Sequence, residues 1–458
     1  MNKGTINLEW AGAFLDELAR LGVREICVAP GSRSTPLVLA AARDGRFKMY
    51  SIVDERSAGF LALGIGKVSR NPAVVITTSG TAGANLFPAV IEASQCEVPL
   101  LVLTADRPHR LRDTDANQSM DQIRLFGTFP RGFFEIEPPV LEDHSFRHLR
   151  SVAARAVALT QGTASGPVHI NFPFEKPLEP PPDGDEVEND RIREFRRNYP
   201  RAGTGRKEGE PFVRVTSGVS LPEAHEVGRI RAACQGARKG LIVAGPVPDP
   251  VEVGPAVLKL GALTGFPVLA DPLSGARYAD PLGSVVVGGY DLFLRSPWAR
   301  AALSPDLIIR VGGSPTSAAL LAFLEEAGDA RQIVIDEGPR WKDHLATAQE
   351  YVQASIQAFV GDLPWDMKTM SASGWVDLWT GAEERTRNTL NGREAGEFLE
   401  GDILAAVGAR IPHGANLFVA SSMPIRDLDA FCFPRTGGGT FQVFGNRGVS
   451  GIDGLVST

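Results

Sequence analysis

The feature that most constrains this chain is a cycle of short apolar strand and amphipathic helix that repeats through its first 180 residues. "NLEWAGAFLDELARLG" sets Trp10, Phe14, Leu18 and Leu21 on one helical face and stops at Gly22, a residue suited to the turn that closes a helix. "EICVA" then reads as a buried strand, "PGSRS" as a turn, and Thr35-Pro36 as the N-cap and first position of the next helix. "KMYSIV", "AVVITTS" and "PLLVLTA" repeat the pattern, with helices after Glu55 and after "GTAGAN". Such alternation predicts a parallel sheet covered by helices on both faces, because parallel neighbours need long right-handed crossovers. The carboxyl ends of the strands then share one edge, where open α/β sheets bind ligands.

That edge gathers Ser32 and Arg33 from the first loop, Glu55 from the second, Gly80, Thr81 and Asn85 from the third, and Arg107 from the fourth, with Asn117 and Gln118 of "ANQ" close behind. Glu55 reads in two ways. It is a first-turn carboxylate favoured by the helix dipole by about 0.3–1 kcal/mol, or it carries a proton for a bound group. Asp54 fills the first role equally well, which leaves Glu55 unexplained. "APGSRSTP" is likewise either a capped turn or an anion site in which helix amides and the Arg33 fork share a carboxylate.

The organisation continues beyond this region. Residues 181–214, rich in Pro, Gly and mixed charge, read as a linker. A second αβ unit spans 215–362 with strands "GLIVAG", "PVLAD", "LIIRVGG" and "QIVID". A third begins near Trp375 and runs to 458 with "NLFVASS" and "TFQVFGN". An apolar helix is expected to open after Gly451-Ile452-Asp453, so the third domain reads as incomplete, cut before its sheet is built. Within it "SSMPIRDLD" offers Ser422 and Arg426 after a buried strand, either as a cap with a surface arginine or as a second functional edge. The glycines of "FGNRGVSGIDG" around Asn446, Arg447 and Ile452 suggest backbone close to a ligand. "GIGKVS" and "GGGTFQVFGNRG" lack the spacing of nucleotide loops and are set aside.

Composition excludes some classes. With a net charge of −7 and basic residues mixed evenly among acids, the chain lacks the footprint of a nucleic-acid binder. No apolar run approaches the roughly 20 residues of a membrane span, and "MNKGTINLEW" lacks a signal-peptide core, so a cytoplasmic protein is expected. Cys27, Cys96, Cys234 and Cys432 are far apart and read as reduced and mostly buried. His144 and His148 share an i, i+4 spacing but read as a solvated helix face, and no metal ligands are assigned among these residues.

Taken in order, "APGSRSTP", "DER", "TTSGTAGAN", "TADRP", "ANQ", "SSMPIR" and "GNRGVSGIDG" resemble the thiamine-diphosphate-dependent synthase family that makes 2-succinyl-5-enolpyruvyl-6-hydroxy-3-cyclohexene-1-carboxylate in menaquinone biosynthesis. The resemblance implies three doubly wound parallel-sheet domains: pyrimidine-binding at 1–180, central at 215–362, and the N-terminal part of a diphosphate-binding domain at 375–458. It implies that Glu55 hydrogen-bonds the cofactor's aminopyrimidine, that Gly80, Thr81, Asn85 and Ser422 contact the cofactor, and that Ile452 wedges it into a bent shape. Ser32, Arg33, Arg107, Asn117, Gln118 and Arg426 match substrate-binding positions for 2-oxoglutarate and isochorismate, both dicarboxylates that suit forked cations. A homodimer or homotetramer follows from a cofactor held between subunits. Mg2+, or Mn2+ in its place, is expected to bind through a motif after Thr458, so weak or absent cofactor binding by these 458 residues is expected. The family commonly carries basic residues where this chain has Ser317, Ala318 and Ala319. Two alternatives remain open at this stage: another thiamine-dependent carboligase resembling acetolactate synthase, and a non-catalytic remnant acting as a scaffold.

Overall fold

The computed structural model describes residues 2–181, 186–361, 374–393, 398–435 and 439–458. They form two units, Met1–Gly218 together with Asp453–Thr458, and Val219–Ile452. The first unit runs α1 (Lys3–Arg20), β1 (Glu25–Val28), α2 (Thr35–Arg43), β2 (Lys48–Ser51), α3 (Glu55–Ser69), β3 (Ala73–Thr77), the single turn α4 (Thr81–Ala84), α5 (Phe87–Gln95), β4 (Leu100–Asp106), β5 (Gly132–Glu135), α6 (Asp143–Gln161) and β6 (Pro167–Pro173). Its six strands are ordered β2-β1-β3-β4-β6-β5 and pair in parallel. Successive β3 residues serve opposite faces, as the pleat requires. Val74 and Ile76 join Trp10, Phe14 and Leu18 in one core, while Val75 joins Ala58, Phe60 and Leu63 in the other.

Two sequence expectations need correction here. Thr35 lies inside α2 rather than capping it; Ser34 holds the cap position, and the Thr35 hydroxyl donates back to the Ser32 carbonyl at 2.7 Å. The stretch read as a linker, of which 182–185 lie outside the described residues, folds into α7 (Glu186–Asn198) and α8 (Pro200–Gly203). Ile192 and Phe195, spaced i, i+3, make a narrow apolar stripe in an otherwise charged helix, and both are buried. Phe195 and Ala202 enter the α1/α6 core, and the buried Arg150 of α6 donates to the Ala202 carbonyl at 2.8 Å.

The second unit begins with α9 (Ala224–Gly236), β7 (Gly240–Ala244), α10 (Pro250–Thr264), β8 (Val268–Ala270), β9 (Val286–Val287), α11 (Tyr290–Phe293) and α12 (Pro297–Ala302). It continues with β10 (Leu307–Val311), α13 (Ala318–Glu326), β11 (Arg331–Ile335), β12 (Glu350–Val352) and α14 (Ile356–Gly361). The sheet order is β12-β11-β10-β7-β8-β9, again parallel. The last elements are α15 (Trp375–Asn391), α16 (Gly401–Arg410), β13 (Asn416–Phe418), α17 (Met423–Phe431) and β14 (Gln442–Phe444).

Position 362, the expected end of the central domain, lies outside the described residues. Trp375, expected to open a third domain, instead packs with Trp379 against Leu241, Val243 and Ile308 of the central sheet. Its indole donates to the Gly240 carbonyl at 2.9 Å. What remains of the third part is small: β13 and β14 pair in parallel, and Val419, Ile425, Leu428 and Val443 share a core with Leu273 and Tyr278. The helix expected after Asp453 is a turn over 453–457, closed by the Thr458 amide donating to the Gly454 carbonyl at 2.9 Å. No helix among the described residues is long and apolar enough to cross a membrane. The four cysteines are free, three of them buried.

Candidate active site

In the first unit the strand order reverses between β1 and β3, so the loops after these strands flank the crevice where such sheets bind ligands. The two loops interlock. A Cβ on Gly31 would stand 2.2 Å from the Thr78 Cβ, so only glycine allows this approach, and the Thr78 hydroxyl accepts from the Arg33 amide at 3.2 Å. Arg33 is buried, and its Nη1 donates to the Phe174 carbonyl at 2.7 Å while its Nε has no partner among the described residues. Burial, followed by the neighbouring Arg107 cation, pulls the Arg33 guanidinium below its ordinary value, and Asp106 opposes them. Two neighbouring cations, each only partly offset by Asp106, suit an incoming anion.

Arg107 follows β4 and donates to the Ser79 hydroxyl. Ser79 and Gln118 bond reciprocally, the Gln118 amide donating to the Ser79 carbonyl at 3.1 Å and the Ser79 hydroxyl to the Gln118 carbonyl at 3.3 Å. Thus the structure brings together Arg33, Arg107, Gln118 and Gly80. Gly80 takes φ +81°, a conformation natural only to glycine, and leads directly into α4, whose first residue is Thr81. Ser32 and Asn117 are exposed nearby in sequence, and the Asn117 side chain makes no hydrogen bond among the described residues.

Asn85 caps the end of α4, and its side-chain amide donates to Glu55 Oε2 at 3.1 Å. Asp54, not Glu55, caps α3: its carboxylate accepts from the Ser57 amide at 2.8 Å. Glu55 is therefore half-buried at the start of α3 with its second oxygen unpartnered among the described residues. A carboxylate so placed, with an amide at its side, fits the protonated ring nitrogen of an aminopyrimidine.

Ser422, Arg426 and Ile452 belong to the second unit. Ser422 precedes α17 with φ +74° and makes no side-chain cap bond, so the capping role open to it in the sequence is not taken. Arg426 is exposed one turn later, and Ile452 is 69% exposed. Ser317 caps α13 by accepting from the Leu320 amide at 3.0 Å and donates to Asp291 at 2.6 Å, a structural use of a position where the family carries basic residues. His144 and His148 are exposed on α6, as expected.

Sequence reasoning missed the polar layer beneath these loops. Asp106, Gln122, His169 and Asn171 are all fully buried and mutually linked. Burial holds the His169 imidazole neutral, its pKa pulled down to about 3. The available signal was weak: a polar residue inside an apolar strand, as in "VHINF".

A parallel sheet with a polar crevice and a glutamate after the second strand is the arrangement that the resemblance to thiamine-diphosphate enzymes implies. Family comparison agrees: residues 9–125 match the thiamine pyrophosphate enzyme N-terminal TPP binding domain, and residues 208–419 match the middle domain of thiamine pyrophosphate enzymes. Among curated relatives, 2-succinyl-5-enolpyruvyl-6-hydroxy-3-cyclohexene-1-carboxylate synthase of Halobacterium salinarum is 43% identical over 99% of this chain and 76% of its own length. The synthases of Bacillus cytotoxicus and Chloroflexus aurantiacus are each 39% identical over 98% of this chain and 74% of theirs. The chain belongs to the 2-succinyl-5-enolpyruvyl-6-hydroxy-3-cyclohexene-1-carboxylate synthase family.

Proposed function

We propose that this protein carries out the reaction its relatives are named for, joining a unit derived from 2-oxoglutarate to isochorismate with loss of carbon dioxide. Thiamine diphosphate, when bound, supplies the carbon nucleophile that a 2-oxo acid requires. Glu55 holds a proton at the pyrimidine nitrogen through its unpartnered oxygen, and Asn85 fixes the other oxygen so that the carboxylate keeps one orientation. Gly80, Thr81 and Ser422 let the backbone approach the cofactor, and Ile452 shapes its seat. Arg33 and Arg107 take substrate carboxylates, with Arg426 as the third cation and Ser32, Asn117 and Gln118 as orienting partners. Mg2+ or Mn2+ for the diphosphate, assembly as a homodimer or homotetramer, a cytoplasmic setting and the three domain assignments belong to the same reading.

The observation that carries it is the Glu55 carboxylate, freed from capping by Asp54 and oriented by the Asn85 amide. The test is carbon dioxide release by the full-length protein with thiamine diphosphate and Mg2+. Turnover of 2-oxoglutarate with isochorismate, no turnover of pyruvate, and a fall in kcat of about 10²–10⁴-fold in Glu55→Gln are expected. Preference for pyruvate would favour an acetolactate-synthase-like carboligase, and an unchanged Glu55→Gln rate would remove Glu55 from the chemistry.

A further inference from the structure

We propose that Gln122 is the positioning residue of this site: its side-chain amide sets the Gly80 turn and, through α4 and Asn85, the Glu55 carboxylate. The link to Glu55 chemistry rests on the function proposed above. Gln122 is fully buried in the loop that follows "ANQ". Its Oε1 accepts from the Gly80 amide at 2.7 Å, while its Nε2 donates to Asn171 Oδ1 at 2.8 Å and to the Ala105 carbonyl at 3.2 Å. Gly80 precedes the four-residue α4, and Asn85, the residue that follows it, is the partner of Glu55. One side chain thus joins the strand ends of β4 and β6 to the loop that orients the candidate proton carrier.

The orientation of this amide is dictated from below. Asn171 points its NH2 at two carboxylates, Asp106 Oδ2 at 2.9 Å and Glu135 Oε2 at 3.0 Å, so its carbonyl must face the other way. That carbonyl accepts from the Thr104 hydroxyl at 2.8 Å and from Gln122. Because Thr104 spends its proton on Asn171, His169 Nε2, 2.8 Å away, must be the donor to Thr104. Every donor and acceptor then has one direction, ending at the Gly80 amide. Only a side chain that both accepts and donates at this length satisfies the end of the chain.

Substitution at Gln122 separates positioning from mere filling of space. Gln122→Met keeps the volume and removes both polar functions. Gln122→Glu keeps an acceptor for Gly80 but turns a carboxylate oxygen toward Asn171 Oδ1; when protonated it donates there again. The charged groups around it are Asp106 on β4 with its partner Arg112, Arg107 beyond β4, Glu135 on β5, and neutral His169 on β6.

We expect Gln122→Met to lower kcat about 10²-fold, as a small misplacement of a reacting group does. Hydrogen–deuterium exchange should rise in the peptide 79–86 and not across the rest of the first unit. Gln122→Glu should recover kcat as pH falls from 8 to 5.5, relative to wild type. A wild-type kcat in Gln122→Met, a rate in Gln122→Glu that does not improve on acidification, or faster exchange spread over the whole unit would each overturn the proposal. If wild type turns over no substrate, the proposed reaction fails, while the exchange pattern still decides whether Gln122 sets the 80–85 turn.

Discussion

The two six-stranded sheets have the same parallel design, yet only the first leaves charged groups at the point where strand order reverses. In the first, the β1 and β3 loops interlock through Gly31 and Thr78, and Arg33, Ser79 and Arg107 stand around that contact. In the second, the loops after β7 and β10 close on each other with backbone alone. A Cβ on Gly245 would meet the Gly313 carbonyl oxygen at 1.7 Å, and the Gly313 amide donates to the Pro246 carbonyl at 2.8 Å. The buried Asp271 at the end of β8 is spent on the Thr316 and Leu273 amides at 2.7 and 2.9 Å. Fold places a crevice; whether it works depends on which polar groups the loops leave uncommitted.

The sharpest way to break this comparison is to add one methyl group to each crevice. Gly245→Ala forces two backbone segments apart and should cost on the order of 3 kcal/mol in stability, while leaving kcat of the remaining folded protein unchanged. Gly31→Ala sets its new Cβ 2.2 Å from the Thr78 Cβ, an atom that no side-chain rotation moves, so it too forces backbone apart at a similar stability cost. It disturbs the Arg33 loop, however, and should raise KM for the substrate carboxylates. Denaturant unfolding and steady-state kinetics on both variants decide the matter; equal kinetic damage from the two would mean that the second crevice also serves catalysis.

Acid should also separate the units. His169 has a folded pKa of about 3 against an ordinary value near 6.5, so the unfolded chain binds a proton that the folded first unit refuses. Its contribution is fully present above about pH 6.5 and is lost as pH falls toward 3, at up to about 1.4 kcal/mol per pH unit. Among the described residues the second unit buries no histidine. One of its fully buried acids, Asp429, is pushed up to about 7 by burial, against the pull of Arg277 at 2.5 Å. That shift has the opposite sign: its cost fades as pH falls from 7. Unfolding midpoints between pH 7 and 4 should therefore fall for the first unit before the second. His169→Gln, which keeps a donor for Thr104, should flatten that fall; an unchanged slope would place the acid sensitivity elsewhere.

What could be read from the sequence follows the range of each interaction. Strand and helix periodicity is local, and it predicted the parallel sheets and the edge that carries Arg33, Gly80, Asn85 and Glu55. Gln122 escaped because its partners Ala105 and Asn171 come from strands 17 and 49 residues away. The α7 stripe escaped because Ile192 and Phe195 are sparse among charges and become apolar signal only once α1 and α6 are in place. Trp375 was read only as the start of a third domain, since nothing local names the sheet that its helix covers, whose strands lie far earlier in the chain.

The smallest expected effect lies at Arg426, and it isolates function from fold in the second unit. Arg277 there is fully buried and bonded to Asp429 and the Gly288 carbonyl, so it is structural capital. Arg426 is exposed on α17, and its side chain reaches the Met423 sulfur at 4.0 Å. Removing a charge that the fold does not use should leave stability within about 0.5 kcal/mol. If the arginine meets a substrate carboxylate, losing that charge-assisted bond should cost about 1.5–3 kcal/mol of binding, or roughly 10–100-fold in KM. Arg426→Gln should thus unfold like wild type while its KM for one dicarboxylate rises and that for the other does not. A variant with both KM values unchanged would return Arg426 to the plain surface, and the second unit would then contribute no substrate-binding cation from α17.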